Sequence, residues 1–192
     1  MKELTDGIFL YHGSYTAISQ IDLTKCSKGL DFGKGFYLTS SYEQAVRFVS
    51  NSIQKNIRSG RLPKDFPVAE GQVSVFFCHP KGLSAYYFED ANQEWLHLVA
   101  ANRNHHLFPG LLERFSQFDL IGGKIANDRT AATLIAYIAE TYGIPGEKET
   151  DLFTIKRLLP DRLEDQFCFK TEKSLQTLEF IRSDRYGSIN RT

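Results

Sequence analysis

The sequence has few of the features that mark extracellular or membrane proteins. Its three cysteines, Cys26, Cys78 and Cys168, lie far apart and form no Cys-x-x-Cys pair. Such an odd, scattered set argues against a disulfide framework and against a structural zinc site. The N-terminus has no apolar leader, and no later run approaches the roughly 20 apolar residues of a membrane span. We therefore expect a cytoplasmic protein with no membrane partner.

The chain also carries no formal net charge, because 23 basic residues balance 23 acidic ones. Without an overall positive field, only a local patch would draw the chain to nucleic acid or anionic lipid. The remaining composition is typical of a folded chain, with 42% hydrophobic residues and fifteen phenylalanines. At 192 residues, one domain spanning residues 1–192 is the simplest organisation.

Short apolar runs and helical periodicities alternate along the chain in no regular β-α-β order, which predicts an α+β fold. The Gly13-Ser14 pair is expected to end the first strand as a turn. Ser41 and Gln44 have the spacing of a capping box at the start of a helix. The patterns predict strands at 8–12, 35–39, 72–78, 118–123, 165–170 and 178–182, and helices at 41–60, 92–103, 127–143, 151–159 and from 171.

Single residues of this sequence say little about function. On its own, His12 is equally explained as a polar residue that marks the end of a strand, and a lone tyrosine such as Tyr37 more often belongs to the core. The spacing of Gly29, Gly33 and Gly35 matches neither the dinucleotide fingerprint nor a P-loop. The other histidines lack the partners and spacing of a zinc site, so we assign no metal.

Taken in order, the motifs are more specific. The run Leu10-Tyr11-His12-Gly13-Ser14, followed by Asp31-Phe32-Gly33-Lys34-Gly35-Phe36-Tyr37-Leu38-Thr39, resembles the opening of the ADP-ribosyltransferase superfamily, in its His-Tyr-Glu branch. Further segments are similar to an uncharacterised bacterial family of that superfamily. They are Trp95 to Asn102-Arg103, Gly122 to Asn127-Asp128, and Asp165 to Thr171-Glu172, so the resemblance covers about residues 8 to 181.

This resemblance implies a split β-sheet core of short strands with flanking helices. It also implies an enzyme that uses NAD as a substrate and transfers ADP-ribose to a macromolecular acceptor, a protein or a nucleic acid. Bacterial proteins of this kind look like toxin or effector modules, for which a neutralising antitoxin protein is a possible partner. None of these expectations involves a metal.

The resemblance also implies roles for individual residues. Gly13 would hold the nicotinamide carboxamide through its backbone, Tyr37 would stack on the nicotinamide ring, and His12 would hydrogen-bond a ribose hydroxyl. A missing Cβ permits close approach, and an aromatic face attracts a flat cationic ring. Independently of the resemblance, the guanidinium of Arg103 at the end of a helix offers bidentate donors to the NAD pyrophosphate or to a phosphate of the target, and its alternative role is that of a partner for the helix dipole. Ser14, Phe36, Thr39, Asn127 and Asp128 complete the expected NAD-binding set.

The third catalytic position departs from the branch, because Gln166 stands where a glutamate is expected. Cleavage of the nicotinamide bond creates an oxocarbenium-like centre, which negative groups stabilise. An amide can hydrogen-bond a hydroxyl but carries no charge and is no general base. Glu164, Asp165 and Asp128 are alternative acids, and Gln166 is preferred to them.

Three functions follow from this set. The first is ADP-ribosyl transfer. The second is an inert module that binds NAD or ADP-ribose. The third is transfer of an RNA 2′-phosphate to NAD, which the absence of a basic cluster disfavours.

Overall fold

The computed structural model of the chain describes residues 3–5, 7–126, 128–159 and 163–189. These residues form two compact units, each assembled from separate stretches of the chain. One unit consists mainly of Leu23–Phe36 and Leu83–Thr171. The other consists of Leu4–Asp22, Tyr37–Gly82 and the segment from Glu172 onwards.

Short strands and helices alternate irregularly through the described residues, so the predicted α+β class is confirmed. The strands are β1 (Ile8–Ser14), β2 (Phe36–Leu38), β3 (Gln72–Cys78), β4 (Ala85–Tyr87), β5 (Leu120–Lys124), β6 (Asp165–Phe169) and β7 (Leu178–Arg185). The α-helices are α1 (Tyr42–Arg58), α2 (Gln93–Arg103), α3 (Leu111–Ser116), α4 (Asp128–Ile138), α5 (Lys148–Leu158), α6 (Glu172–Leu175) and α7 (Tyr186–Ile189). None of the helices in this part of the chain has the length and apolarity needed to cross a membrane.

The unit that contains His12 is built on an antiparallel sheet with the order β1-β3-β7. Strand β3 is central, as its continuous apolar run predicts. Helix α1 presents Ala45, Val49 and Ile53 at helical spacing, and these side chains pack with Val73 of β3 in a buried cluster. The apolar residues whose spacing predicts this helix therefore also form the face that packs on the sheet.

The start of α1 differs in detail from the expected capping box. The Ser41 hydroxyl accepts a hydrogen bond from the Gln44 backbone N–H at 3.1 Å, as predicted. The Gln44 side chain does not return this bond, because it accepts one from the Thr39 hydroxyl at 2.5 Å. The Thr39 oxygen instead accepts from the Ser41 backbone N–H at 3.1 Å. Thr39 thus takes the role that the sequence pattern assigned to Gln44.

The second unit contains a sheet in which β5 pairs with β4 in parallel and with β6 antiparallel. Strand β2, whose first residue Phe36 belongs to this unit, lies at the edge next to β6. Gly123 of β5 faces the aromatic core, where a Cβ would lie 2.6 Å from the Phe32 ring. The glycine therefore makes room for Phe32, which is fully buried.

Helix α4 ends at Ile138, five residues before the predicted end at Gly143. Glu140 takes a left-handed conformation with φ of 59°, which ends the helical path. The buried Asp151 of α5 fixes the following turn, because it accepts hydrogen bonds from the Tyr137 hydroxyl at 2.5 Å and the Gly146 N–H at 3.0 Å. The expected cap Asn127 lies outside the described residues.

Replacing Ser41 with alanine tests the cap of α1. The change removes the acceptor for the Gln44 N–H, so the free energy of unfolding should fall by about 1 kcal/mol. Chemical denaturation monitored by circular dichroism measures it. Ser40→Ala, at the exposed neighbouring position, is the matched control and should change stability by less than about 0.5 kcal/mol. Equal effects of the two variants would contradict the cap.

Candidate functional site

The backbone edge of β1 is the first feature of the candidate site. The N–H and C=O of Tyr11 both pair with Thr39, at 2.9 and 3.0 Å. In an antiparallel ladder, alternate residues direct their backbone groups to the same side. The N–H and C=O of Gly13 therefore point to the side on which Tyr11 meets Thr39. That bridge is isolated in the described part of the chain, so the pairing does not continue to Gly13.

His12 is held by the backbone of the neighbouring strand. Its Nδ1 lies 2.8 Å from the carbonyl oxygen of Tyr37. Because a carbonyl only accepts hydrogen bonds, the proton of the neutral ring resides on Nδ1. Burial lowers the pKa of His12, and the bond to the Tyr37 carbonyl opposes this shift only in part. His12 is therefore a neutral imidazole at pH 7, oriented by Tyr37.

The missing side chain of Gly13 has a different cause from the one expected. A Cβ at this position would lie 1.9 Å from the carbonyl oxygen of Ala45 and 3.2 Å from the backbone nitrogen of Val49. The space that a side chain would occupy is filled by the backbone of α1, and a ligand does not enter there. Gly13 thus permits the close packing of α1 on β1. Its backbone groups along the strand edge are unaffected by this packing.

The other expected nucleotide contacts from the first forty residues differ in exposure. Tyr37 is half-buried, whereas Ser14 and Phe36 are 5% and 6% exposed. The Thr39 hydroxyl is engaged with Gln44 and Ser41 at the start of α1. Together, β1 and the chain around β2 place His12, Gly13 and Tyr37 in one cluster, which we call the strand-edge cluster.

The other unit contains a polar cluster built around Asp31, which is 6% exposed. We call it the carboxylate cluster. The Oδ1 atom of Asp31 accepts from Nη2 of Arg103 at 2.8 Å. The Oδ2 atom accepts from Nε2 of Gln166 at 2.7 Å and from the Ala126 N–H at 2.8 Å. Both oxygens of the buried carboxylate therefore have donors, as burial of this group requires.

Local packing explains why Asp31 takes this position. The next residue, Phe32, is anchored in the core beside Gly123. Gly33 has a φ of +84°, and a Cβ there would lie 2.8 Å from the Asn102 side-chain oxygen. The Nδ2 group of Asn102 donates to the Asp31 main-chain carbonyl at 3.1 Å. The motif Asp31-Phe32-Gly33 is thus fixed against the end of α2.

Gln166 lies on β6 opposite Gly123 and is 5% exposed. Its second hydrogen bond, from Nε2 to the Lys124 carbonyl, measures 3.4 Å. The adjacent acid Asp165 instead pairs with the Lys124 ammonium at 2.8 Å. Of the alternative acids, Asp165 thus has its own partner, and the side chain of Asp128 is outside the described part of the structure.

Arg103 is the second charged residue of the carboxylate cluster. Arg103 lies in the last turn of α2, and its guanidinium pairs with Asp31. Both of its hydrogen bonds to described residues use Nη2, the second reaching the Ala126 carbonyl at 3.5 Å. No functional role is predicted for Asp31 from the sequence, although Asp31 opens the Asp31-to-Thr39 motif. Its position at the head of that motif was the available signal.

Over residues 8–180 the chain matches the family model described as "Protein of unknown function (DUF3990)". The chain belongs to this family. No curated protein and no solved structure matches it. Within the described ranges, no group of three or more His, Cys, Asp or Glu side chains could hold a metal ion.

Gly13→Ala tests the contact between β1 and α1. The added methyl would overlap the Ala45 carbonyl, so the helix must move away from the strand. We expect the free energy of unfolding to fall by about 1 to 3 kcal/mol or more, as in other overpacked sites. Urea denaturation measures the change. A variant as stable as the parent protein would show that α1 does not pack on β1 in this way.

The lowered pKa of His12 predicts a pH dependence of stability. The ordinary histidine pKa is about 6.5, and the folded protein holds His12 below it. The unfolded chain therefore binds more protons as the pH falls below about 6.5, and stability is lost from there down to the folded pKa. His12→Gln should reduce the loss of stability between pH 7 and pH 5.

The same measurement on His106→Gln, which changes an exposed histidine, is the control. It should leave the pH dependence as in the parent protein. If His12→Gln and His106→Gln have the same pH profile, the burial of His12 does not contribute.

Proposed function

We propose that the protein binds NAD at the strand-edge cluster and transfers ADP-ribose from it to a macromolecular acceptor, a protein or a nucleic acid. The observation that carries this proposal is the backbone edge at Gly13 next to an oriented, neutral His12. The order of the motifs from Leu10 to Thr171 also supports it. In this proposal the two small sheets belong to an ADP-ribosyltransferase-like split-sheet core.

The strand edge has the chemistry that a carboxamide requires. A carboxamide has both N–H donors and a carbonyl acceptor, and Gly13 has one backbone donor and one acceptor directed to the same side. The ring of Tyr37 supplies an aromatic face for the cationic nicotinamide. Because His12 is neutral, it adds no positive charge beside that ring.

The proposed reaction breaks the bond between the nicotinamide nitrogen and C1′ of the ribose. Nicotinamide leaves with the bonding electron pair, and the acceptor forms the new bond to C1′ and releases its proton to solvent. The resemblance implies that Gln166 acts through its amide dipole and a hydrogen bond to a ribose hydroxyl. For Arg103 we propose a contribution to pyrophosphate binding. Two of its bonds use Nη2, and a guanidinium has five N–H donors.

A second candidate function is an inert module that holds NAD or ADP-ribose without cleaving it. The observation in its favour is Gln166, which provides an amide at the position where the resembling branch has a carboxylate. An amide cannot remove a proton from the acceptor or supply a full negative charge to the oxocarbenium-like centre.

Tyr37→Ala tests the proposal. If Tyr37 stacks on the nicotinamide, its loss should weaken NAD binding by roughly 2- to 30-fold, the equivalent of about 0.5 to 2 kcal/mol. Isothermal calorimetry measures binding, and labelled NAD with a cell lysate measures nicotinamide release and acceptor labelling. Phe48→Ala, which removes an aromatic side chain that is 44% exposed on α1, is the control and should bind NAD as the parent protein does.

The outcomes separate the candidates. Binding with nicotinamide release and a labelled acceptor supports the transferase, and Gln166→Ala should then abolish the activity. Binding without release over a long incubation supports the inert module. Folded protein that does not bind NAD would overturn both.

A further inference from the structure

We infer that Asp31 is the positioning residue that sets the orientation of the Gln166 amide, and that this pair replaces the single carboxylate expected at the third catalytic position. The orientation follows from the described contacts alone. Its consequence for NAD rests on the proposed function.

The contacts of Gln166 distinguish the two ends of its amide. Its nitrogen lies 2.7 Å from a carboxylate oxygen of Asp31 and 3.4 Å from the Lys124 carbonyl oxygen. Both neighbours are acceptors, so the group that faces them must be the donor. A flipped amide would lose both hydrogen bonds and place its oxygen against a carboxylate.

Asp31 is itself fixed, so it is able to orient a neighbour. Its carboxylate is held by Arg103 and the Ala126 N–H, each at 2.8 Å. Its main-chain carbonyl is held by Asn102 at 3.1 Å. The positive charge of Arg103 compensates the buried negative charge, which lowers the cost of keeping a carboxylate there.

Two consequences follow for the third position. With Nε2 directed to Asp31, the Gln166 oxygen is presented as a hydrogen-bond acceptor, which selects a donor such as a ribose hydroxyl on a ligand. In addition, a glutamate at residue 166 would place a second carboxylate beside Asp31, where like charges repel. The glutamine amide at residue 166 avoids this repulsion and donates a hydrogen bond to the buried Asp31.

A double-mutant cycle tests the orientation without any ligand. The variants are Asp31→Asn, Gln166→Glu and the double variant, which exchanges the carboxylate and the amide. Each single change pairs two amides or two carboxylates, whereas the double change restores one of each. We expect the unfolding equilibrium constant of the double variant to be about 10-fold smaller than the product of the single effects predicts. If Gln166→Glu does not fold, a cycle of Asp31→Asn with Gln166→Ala replaces it and should also be non-additive.

The matched control is Asp184→Asn, which removes a carboxylate that pairs with Arg182 in the other unit and shares no described hydrogen-bond partner with Gln166. Its effect on stability should add to that of Gln166→Glu without coupling of the kind expected for Asp31. Additive effects of Asp31 and Gln166 would overturn the inference.

A ligand readout separates positioning from stability. The binding of NAD is compared with that of NAD analogues lacking the 2′- or the 3′-hydroxyl of the nicotinamide ribose. Asp31→Asn should reduce the preference for NAD over one of these analogues by several-fold, because the acceptor is no longer fixed. A purely structural role would weaken all ligands equally and would overturn the positioning role. If folded protein binds no NAD, the proposed function fails, and the mutant cycle alone decides the orientation of Gln166.

Discussion

The unit that contains Asp31 depends on keeping one carboxylate out of water. Such a group is stable only when donors surround both oxygens. Here the donors come from the end of α2, from the segment after β5 and from β6. The same requirement fixes the loop before β2, because Asp31 belongs to that loop and Phe32 follows it into the core. A single buried charge thus joins parts of the chain that no local pattern connects.

In the other unit the equivalent constraint is a steric one. Helix α1 approaches β1 so closely that the backbone of Ala45 occupies the Cβ position of Gly13. This approach brings α1 and its cap onto the strand that carries His12. Thr39 both bridges Tyr11 and supports the start of α1. The position of the strand edge at Gly13 therefore depends on the packing of α1, because the backbone of the helix contacts Gly13 directly.

Much of the fold followed from local patterns. The apolar run of β3 and the periodicity of α1 predicted both elements, because their side chains report burial directly. The three-residue strand β4 and the short helix α3 were not predicted, since segments of this length show no period. The first strand was expected to end at Gly13-Ser14. In the structure both residues belong to the strand, which ends at Ser14, because β3 supplies pairing partners as far as Gln72. Gly13 was predicted to form a turn, but in the structure its missing side chain leaves room for the backbone of α1.

The sequence by itself determined the α+β class and the order of the motifs that carry His12, Gly13, Tyr37 and Gln166. Only the tertiary structure decided what surrounds them. Gln166 and Asp31 are 135 residues apart in the chain, and nothing within a few residues of either one predicts their contact. Propensity, capping and periodicity depend on neighbours along the chain, whereas the partner of a buried polar group depends on which distant segments pack together.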